Sequence, residues 1–342
     1  MYDKLGKYQI IKKLGEGLEG RVYLVLDENT KEKYALKICK NEAEGRREAG
    51  FLRVLHHPGI VRLHDCFYAK EGEEDVFVLV TEYANGESLK DYCIFQNTKR
   101  KGEGDSGKPE LCKKLAEILK YLHSLPVPVI HCDLKPENIV VRENGDVTLF
   151  DFGSARRIGE DIREMKSTYA YAAPEIAIGK CSPAIDIYAF GQLMILIFTG
   201  KVPTWNDQIP TKKAMIRMGI PKTVYPVILD CLRKDKEERI PNGTELVRRI
   251  LRCERKNGRV LRVLSHFREV LFTNAGAIGS FYGLFRYYKG EIESGKMILL
   301  IGVALLLAEL LLESVEKERR FGNVFCKYSL YLSQTKAQKE SQ

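Results

Sequence analysis

The stretch IHCDLKPENIV, residues 130–140, groups a carboxylate, an ammonium and an amide side chain within a few positions. Asp133 is followed by Lys135 two places later and by Asn138 five places later. Cys132 separates His131 from Asp133, so the residue beside the carboxylate brings no charge. Each side chain could be structural when taken alone, and its meaning depends on what the rest of the chain supplies.

Composition predicts a folded chain with room for an appendage. The chain has 342 residues, 44% hydrophobic and 30% charged, which excludes disorder of the whole chain and suits a two-lobed globular unit with an extra segment. Its nine cysteines are scattered singly without CxxC pairs, so we expect reduced thiols in a cytosolic compartment rather than a zinc site or disulfide framework. Charges within the first residues, MYDKLGKYQI, argue against a signal peptide.

The net charge of +9 is concentrated late in the chain. Residues 248–268 contain eight Lys or Arg against one acid, Glu254. Two apolar runs follow: residues 270–285 carry no charge, and residues 297–312 carry only Glu309. This change of composition predicts a domain boundary near residue 255.

Before that boundary, strand-like runs precede helix-like ones. β-Branched and aromatic runs broken by turn residues predict strands, and apolar spacing over longer segments predicts helices. The strands are YQIIKKLG (8–15), RVYLVLD (21–27), KYALKIC (33–39) and DVFVLVTEY (75–83), and the helices are ELCKKLAEILKYLHS (110–124) and IDIYAFGQLMILIFTG (185–200). Residues 97–110, rich in Gly and charge, are predicted to form a surface loop. The sequence therefore predicts a small sheet lobe followed by a larger helical lobe.

A glycine-rich stretch, LGEGLEGRV (14–22), lies between the first two predicted strands. Gly15, Gly17 and Gly20 would let the backbone approach phosphate oxygens and offer amide hydrogens to them. An ordinary glycine turn is the alternative, but it loses ground because YALK follows and places Lys37 on the next strand. From there the ammonium could reach the α- and β-phosphates of a nucleotide, although Lys37 alone would read as a solvated surface lysine.

An acidic partner for Lys37 is expected in EAEGRREAGFLRVLHHPGIVRL (42–63), which reads as a helix. We assign Glu48 as the counter-ion. Glu42 and Glu44 are the competitors, and all three could instead be solvated acids on the helix surface. The family that the motifs below resemble usually has a longer stretch between these two residues, which implies that the front of this helix is truncated.

The opening stretch and one later motif match the demands of phosphoryl transfer. This reaction requires a carboxylate to orient the attacking hydroxyl, a cation for the transferring group and ligands for magnesium. Asp133, Lys135 and Asn138 meet these needs in order, and LFDFGSA adds Asp151, a hard oxygen ligand suited to Mg²⁺. The occurrence of all four residues in this order argues strongly against coincidence.

With these residues, STYAYAAPE (167–175) and DIYAFG (186–191) complete a resemblance to a eukaryotic-type protein kinase domain over residues 8–254. The resemblance implies an α+β, bilobal protein kinase fold, with a small β-rich N-lobe, a larger helical C-lobe and ATP in the cleft. It also implies that Asp186 braces the catalytic loop and that Arg239 pairs with the glutamate of the APE motif, which spans Ala173, Pro174 and Glu175.

The same resemblance implies roles for individual residues. The catalytic residues are Asp133 and Lys135, the metal ligands are Asn138 and Asp151, and the ATP-binding residues are Gly15, Glu16, Gly17, Gly20, Val22, Ala35, Lys37, Glu48, Thr81, Glu82 and Ala84. The adenine is expected to lie against Ala35 and to bond the backbone of residues 81–84, with Thr81 in the gatekeeper place. ATP and Mg²⁺ are the implied cofactors.

Lys135 and Thr168 resemble the residues of serine/threonine kinases, so protein Ser and Thr hydroxyls are the implied acceptors. The segments 122–141 and 167–175 are also similar to bacterial membrane-associated members. Two other classes remain open. A pseudokinase that only binds or scaffolds would have lost a Lys, Asp or Asn at a working position, and none is lost. A small-molecule phosphotransferase would have no peptide for the APE segment to hold.

In the kinases that this chain resembles, an Arg stands in the place of Cys132, and a phosphate on the activation segment neutralises the positive cluster around it. The uncharged Cys removes that repulsion. We therefore expect residues 151–175 to be competent without phosphorylation, although Ser167, Thr168 or Tyr169 could still be modified. For the thiol itself, a redox switch and packing as a small buried side chain are the alternatives.

The tail is expected to attach the chain to a membrane. Residues 255–268 are predicted to form a basic juxtamembrane-like linker, residues 269–313 a transmembrane helical hairpin with both ends cytoplasmic, and residues 314–342 a polar tail. The linker could instead lie on anionic lipid or be a solvated helix face, and the apolar runs could form a soluble helical pair that packs on the kinase or mediates a homodimer. Nucleic-acid binding is not expected, because no aromatic residues are interleaved in a recognisable motif.

Overall fold

The computed structural model describes residues 4–17, 19–99, 107–162, 170–177, 179–202 and 210–253. They belong to the first of two units into which the chain divides, residues 1–254 and 255–342. The predicted linker, hairpin and polar tail therefore lie outside the described residues, as do Ser167, Thr168 and Tyr169.

The N-terminal part is a six-stranded antiparallel sheet with one helix. The strands are β1 (Lys4–Leu5), β2 (Tyr8–Glu16), β3 (Gly20–Asp27), β4 (Lys33–Cys39), β5 (Leu63–Glu71) and β6 (Glu74–Glu82), in the spatial order β1-β2-β3-β4-β6-β5. Helix α1 (Glu42–Leu52) connects β4 to β5. Alternate residues of a strand point to the same face, and Val25, Leu36 and Val78 bury one face of this sheet as an apolar core.

The part that follows is mainly helical. Its helices are α2 (Leu89–Lys99), α3 (Lys108–His123), α4 (Ala184–Thr199), α5 (Lys212–Arg217) and α6 (Tyr225–Cys231), and residues 243–253 are also helical. The short strands β7 (Glu87–Ser88), β9 (Ile139–Val141) and β10 (Val147–Leu149) form a small sheet, and β8 (Val129–Ile130) pairs with β11 (Arg156–Arg157). Single 3₁₀ turns cover Pro136–Asn138, Pro174–Ala177, Lys222–Val224 and Lys236–Glu238.

Helix α4 lies at the centre of the helical part. It is apolar on all sides, and a helix of this kind is stable only when other elements cover it. Nearly all of its residues are buried, including Asp186, which is fully inaccessible. The helix ends at Gly200, which adopts a left-handed conformation (φ +67°) and donates from its amide to Leu196 O at 2.7 Å.

The predicted order of a β-rich part followed by a helical part is confirmed. The prediction missed β5 and α2, and the predicted loop at 97–110 is wrong at its ends, because residues 97–99 belong to α2 and residues 108–110 to α3. No helix within the described ranges is both long and apolar enough to cross a bilayer.

Candidate active site

A cavity of about 690 Å³ lies beside the glycine-rich turn and the 130–140 stretch. This volume is in the range of sites that bind nucleotide-sized ligands. All the residues predicted to bind ATP line it, together with Asp133, Lys135 and Asp151. Ala35 and Thr81 are register partners on β4 and β6, so the predicted adenine contact and the gatekeeper position lie side by side.

The glycine-rich turn joins β2 to β3 and is held against β4. Gly20 has a φ of +153°, and a Cβ at this position would lie 2.1 Å from the carbonyl oxygen of Ile38. The amide of Lys40 donates to Glu19 O at 3.0 Å. A residue other than glycine at position 20 would therefore push the turn away from β4. At Gly15 and Gly17 an added Cβ would meet open space.

Lys37 of β4 is the centre of the charged part of the cavity. Its Nζ lies 3.0 Å from Glu48 Oε2, 2.8 Å from Asp151 Oδ1 and 2.9 Å from Glu19 Oε2. The first two contacts join Lys37 to its predicted counter-ion and to the predicted metal ligand. The third was not foreseen, although Glu19 stands within the quoted glycine-rich stretch. One ammonium group thus faces three carboxylates.

The close approach of these charged groups shifts the pKa values of Lys37, Asp151 and Glu19. Burial by itself would lower the pKa of Lys37, but the three carboxylates outweigh it and raise that pKa above its ordinary value. Burial opposes the ionisation of Asp151, yet Lys37 holds its pKa at about 2. Burial and the neighbouring Asp151 raise the pKa of Glu19 to about 7. Lys37 and Asp151 are therefore charged at neutral pH, whereas burial opposes the ionisation of both Glu19 and Glu48.

Helix α1 presents Glu48 to Lys37. The helix begins only three residues after β4 ends, and the side chain of its N-cap, Asn41, accepts a hydrogen bond from the amide of Glu44 at 3.3 Å. Glu48 is 3% exposed, and its Oε1 accepts from the amide of Phe152 at 3.3 Å. The glutamate is therefore held from two sides, and the short front of the helix does not prevent the pair.

Residues 131–138 form the loop between β8 and β9. Asp133 and Asn138 are buried, and the 3₁₀ turn Pro136–Asn138 brings the amide of Asn138 back to Asp133, with Nδ2 donating to Asp133 O at 3.0 Å. The ammonium of Lys135 donates to the Asp133 carboxylate. Asn138 does not line the cavity itself. The loop thus presents Asp133 and Lys135, with Asn138 packed behind them.

Asp186 of α4 fixes the backbone of this loop. Its carboxylate accepts from the amides of His131 and Cys132 at 2.8 and 2.9 Å, and His123 Nε2 lies 3.1 Å away. Cys132 has a φ of +66°, a left-handed conformation that is unfavourable for any residue with a Cβ. Two hydrogen bonds to a buried carboxylate can hold such a conformation. Asp186 of α4 therefore fixes the backbone just before Asp133.

Cys132 is 4% exposed and packs in an apolar cluster with Ile162, Ala173 and Cys181. Its contact with Cys181 and burial both raise the pKa of the thiol well above its ordinary value. The group is therefore a neutral thiol, which is poorly reactive. This setting favours the packing interpretation of Cys132 over the redox switch.

The APE glutamate is also paired. Arg239 donates to both oxygens of the Glu175 carboxylate, with Nη2 at 2.8 Å from Oε2, and to the carbonyl oxygen of Ala184 at 3.1 Å. The arginine side chain is fully buried. The contact ties the segment after the activation loop to the start of α4.

The side chains present fit a divalent cation. Carboxylate oxygens of Glu19, Asp133 and Asp151 lie within 4.8 Å of one another, and hard oxygen donors of this kind are the ligands that Mg²⁺ and similar ions prefer. Of the two metal ligands expected from the sequence, Asp151 is in this group, and Asn138 contacts Asp133. Glu19 was not predicted from the sequence, although it is an acid between two glycines of the predicted phosphate-binding turn.

Comparison with known proteins agrees with this geometry. A family model described as the protein kinase domain matches residues 8–260. The chain is 31% identical over 246 residues to the carbon catabolite-derepressing protein kinase of Candida glabrata, a match that covers 68% of this chain and 38% of the relative. The corresponding Saccharomyces cerevisiae kinase is 32% identical over 237 residues, covering 65% and 36% of the two chains.

A probable serine/threonine-protein kinase, MARK-C of Dictyostelium discoideum, is 32% identical over 214 residues, covering 59% of this chain and 27% of its own length. The chain therefore spans well under half the length of these three relatives. The family model, in contrast, covers most of the chain, and the resemblance read from the sequence is confirmed. With its Lys37–Glu48 pair, its Asp133 loop and its Asp151 site in one cavity, the chain belongs to the protein kinase family.

Proposed function

We propose that this protein is an ATP-dependent serine/threonine protein kinase, which transfers the γ-phosphate of ATP to Ser or Thr hydroxyls of a protein. The observation that carries the proposal is the position of Lys37, whose Nζ lies between Glu48 of α1 and Asp151 at 3.0 and 2.8 Å. An ammonium fixed by two acids is directed at one point of the cavity, where nucleotide phosphates would need it. A scaffold that does not use ATP has no need of this arrangement.

Different residues of the site carry out different parts of the phosphoryl transfer. Asp133 orients the acceptor hydroxyl and accepts its proton late, since an ionised carboxylate is a weak base. Lys135, beside Asp133, neutralises charge on the transferring group. Lys37 orients the α- and β-phosphates, and Ala35 with the backbone of residues 81–84 receives the adenine. Asp151 and Asn138 would hold Mg²⁺, which when bound supplies positive charge against the phosphate oxygens.

The direct test is transfer of labelled γ-phosphate to the protein itself or to a generic basic substrate. We expect Asp151→Asn to lower turnover by roughly 100-fold or more, since preorganised electrostatic contacts contribute effects of this size. Asp75→Asn is the matched control, because Asp75 is exposed and pairs with Lys70 at 3.0 Å. If the wild type and Asp151→Asn transfer the same background amount of label, the protein is a pseudokinase and the proposal is wrong.

Acceptor type is tested with peptides that differ only in the acceptor residue. The proposal expects transfer to Ser and Thr and little to Tyr, on the support of Lys135 two places after Asp133. Preference for the Tyr peptide would contradict it.

We propose in addition that the activation segment works without phosphorylation. Cys132 brings no charge into its apolar cluster, and the guanidinium of Arg156 donates to the carbonyl oxygens of Ser154 and Ala155 at 3.0 and 2.8 Å, so it has partners without a phosphate. Phosphatase treatment, with removal of phosphate verified by mass spectrometry, should leave most of the activity. A large loss of activity would contradict this part of the proposal.

The tail is proposed, from composition alone, to attach the protein to a membrane through a hairpin within residues 269–313, flanked by the basic linker 255–268 and the polar segment 314–342. Fractionation of cells that express the full chain or a chain ending near residue 255 tests it. Solubility of the full chain without detergent, or its release by alkaline carbonate, would contradict an integral hairpin. Light scattering of the released protein would then test the alternative, a homodimer formed by the apolar runs.

A further inference from the structure

The carboxylate of Glu19 contacts the Lys37 ammonium, the group expected to bind nucleotide phosphates. Its Oε2 lies 2.9 Å from Lys37 Nζ, as close as the partners Glu48 and Asp151. The turn that supplies it is fixed, because Gly20 packs against the carbonyl of Ile38 and the amide of Lys40 donates to Glu19 O. The carboxylate is thus placed on Lys37 by the backbone of the glycine-rich turn.

Of the three acids around Lys37, Glu19 is the one that can leave. Glu48 is almost fully buried and also accepts from the amide of Phe152. Asp151 has a side chain 16% exposed and lies deeper than Glu19, whose side chain is 28% exposed. Glu19 also sits on a turn rather than on a helix, so rotation of its side chain breaks its contacts with Lys37 and Asp151 without moving a helix. Its carboxylate can therefore be displaced by a competing anion.

The charge around this point is unfavourable for a bare anion. Four carboxylates, those of Glu19, Glu48, Asp133 and Asp151, surround the ammonium groups of Lys37 and Lys135 through the ion pairs described above. These six groups carry a net charge of −2 when all are ionised. Metal-free ATP brings about four negative charges and the Mg²⁺ complex about two, so repulsion from each carboxylate is about twice as large for the metal-free form.

We propose that Glu19 is a specificity-determining residue, which competes with nucleotide phosphates for Lys37 and thereby restricts the site to the metal-complexed nucleotide. The inference rests on the proposed function, since it presumes that the cavity binds ATP. In the nucleotide-free protein Glu19 occupies Lys37. A metal-complexed nucleotide displaces it more readily than a metal-free nucleotide does, because the complex carries about half the negative charge.

The experiment measures binding of the non-hydrolysable β,γ-imido analogue of ATP to the full chain by calorimetry, once with MgCl₂ and once with EDTA. The variants are Glu19→Gln, which keeps the size of the side chain, and Glu19→Ala, which removes its contact with Lys37. Glu42→Gln is the control, because it removes a carboxylate from the same part of the molecule that pairs with Arg46 rather than with Lys37.

We expect both Glu19 variants to bind the Mg²⁺ complex about tenfold more tightly and the metal-free analogue about 100-fold more tightly, because the electrostatic work scales with ligand charge. The control should bind as the wild type does. Unchanged or weaker binding by the Glu19 variants, or equal tightening of both forms, would overturn the inference while leaving a kinase in place. Absence of binding by the wild type and all variants even with Mg²⁺ would instead count against the proposed function.

Discussion

Cys132 Sγ lies 3.4 Å from Cys181 Sγ, so the residue before Asp133 touches the segment that leads into α4. This contact packs the loop that carries Asp133 against the stretch between Glu175 and α4. The resemblance to protein kinases implies an arginine at this position, whereas Cys132 has Ile130, Ile162 and Ile185 as its neighbours. Cys132 therefore brings no charge into this contact.

Replacing Cys132 by arginine should therefore damage this protein rather than make it resemble its relatives. An unpaired guanidinium in an apolar cluster costs several kcal/mol, and we expect Cys132→Arg to lower the free energy of unfolding by about 3 kcal/mol or more. Denaturant unfolding of the variant measures this loss. Cys132→Ser, which stays small and uncharged, is the control and should lose distinctly less. Equal stability of Cys132→Arg and the wild type would show that the cluster accepts a charge.

A second prediction concerns the bond between Glu175 and Arg239. Because the arginine side chain is fully buried, removal of its partner leaves an uncompensated charge, and we expect Glu175→Gln to cost about 3–5 kcal/mol of unfolding free energy. The control is Glu238→Gln, since Glu238 also pairs with an arginine, Arg233, but is 60% exposed. The exposed pair should contribute at most about 1 kcal/mol. Similar losses from both variants would mean that burial does not decide the strength of the Arg239 pair.

Much of the fold could be predicted because the relevant signals are local. The apolar runs of β3 and β6 are continuous, β4 is apolar apart from Lys37 within it, and the composition of α4 indicates its burial directly. Strand β5, LHDCFYAKE, was missed because its residues are mostly half-exposed and polar residues interrupt the apolar pattern. Its pairing with β6 comes from the sheet and not from its own sequence.

Some residues of the site could likewise be predicted from local sequence, and others could not. Asp133, Lys135 and Asp151 stand in motifs whose spacing the reaction dictates, so they could be found without a structure. Glu19 has a motif around it, but its spacing does not say where the side chain points. The contact between Cys132 and Cys181 spans 49 residues, and only the folded chain brings the two together.

A third prediction compares two helical glycines. A Cβ added at Gly191 of α4 would lie 2.7 Å from Cys231 Cβ and 2.9 Å from Leu232 Cδ2. Gly191→Ala should therefore destabilise the protein by about 1–3 kcal/mol through overpacking, although alanine favours helices. At Gly50 of α1 an added Cβ meets no atom within 4 Å, and Gly50→Ala should stabilise the protein by about 0.5–1 kcal/mol. Denaturant unfolding of both variants tests the opposite signs, and a shared sign would contradict the packing argument at Gly191.

The last prediction concerns Asp27, at the end of β3. The residue is buried, and its carboxylate contacts Lys7 Nζ at 3.0 Å and accepts from the amide of Asn29 at 2.8 Å. Burial raises the pKa of this carboxyl, but the hydrogen bonds from Lys7 and from the backbone amides outweigh it and lower the pKa to about 2. The folded protein thus favours ionised Asp27 more than the unfolded chain does.

Because the pKa of Asp27 is lower in the folded protein, the direction in which its contribution to stability changes with pH is fixed. The stabilisation is fully present above the ordinary pKa of about 4 and is lost as the pH falls toward 2, because the unfolded chain takes up the proton first. We therefore expect Asp27→Asn to have a lower thermal midpoint than the wild type at pH 7, and the gap to narrow between pH 4 and the lowest pH at which the protein still folds. Asp75→Asn, which removes an exposed carboxylate paired with Lys70, should change the midpoint little at any pH. If the difference in thermal midpoint between Asp27→Asn and the wild type stayed constant from pH 7 to pH 3, the stabilisation by Asp27 would come from packing and not from its charge.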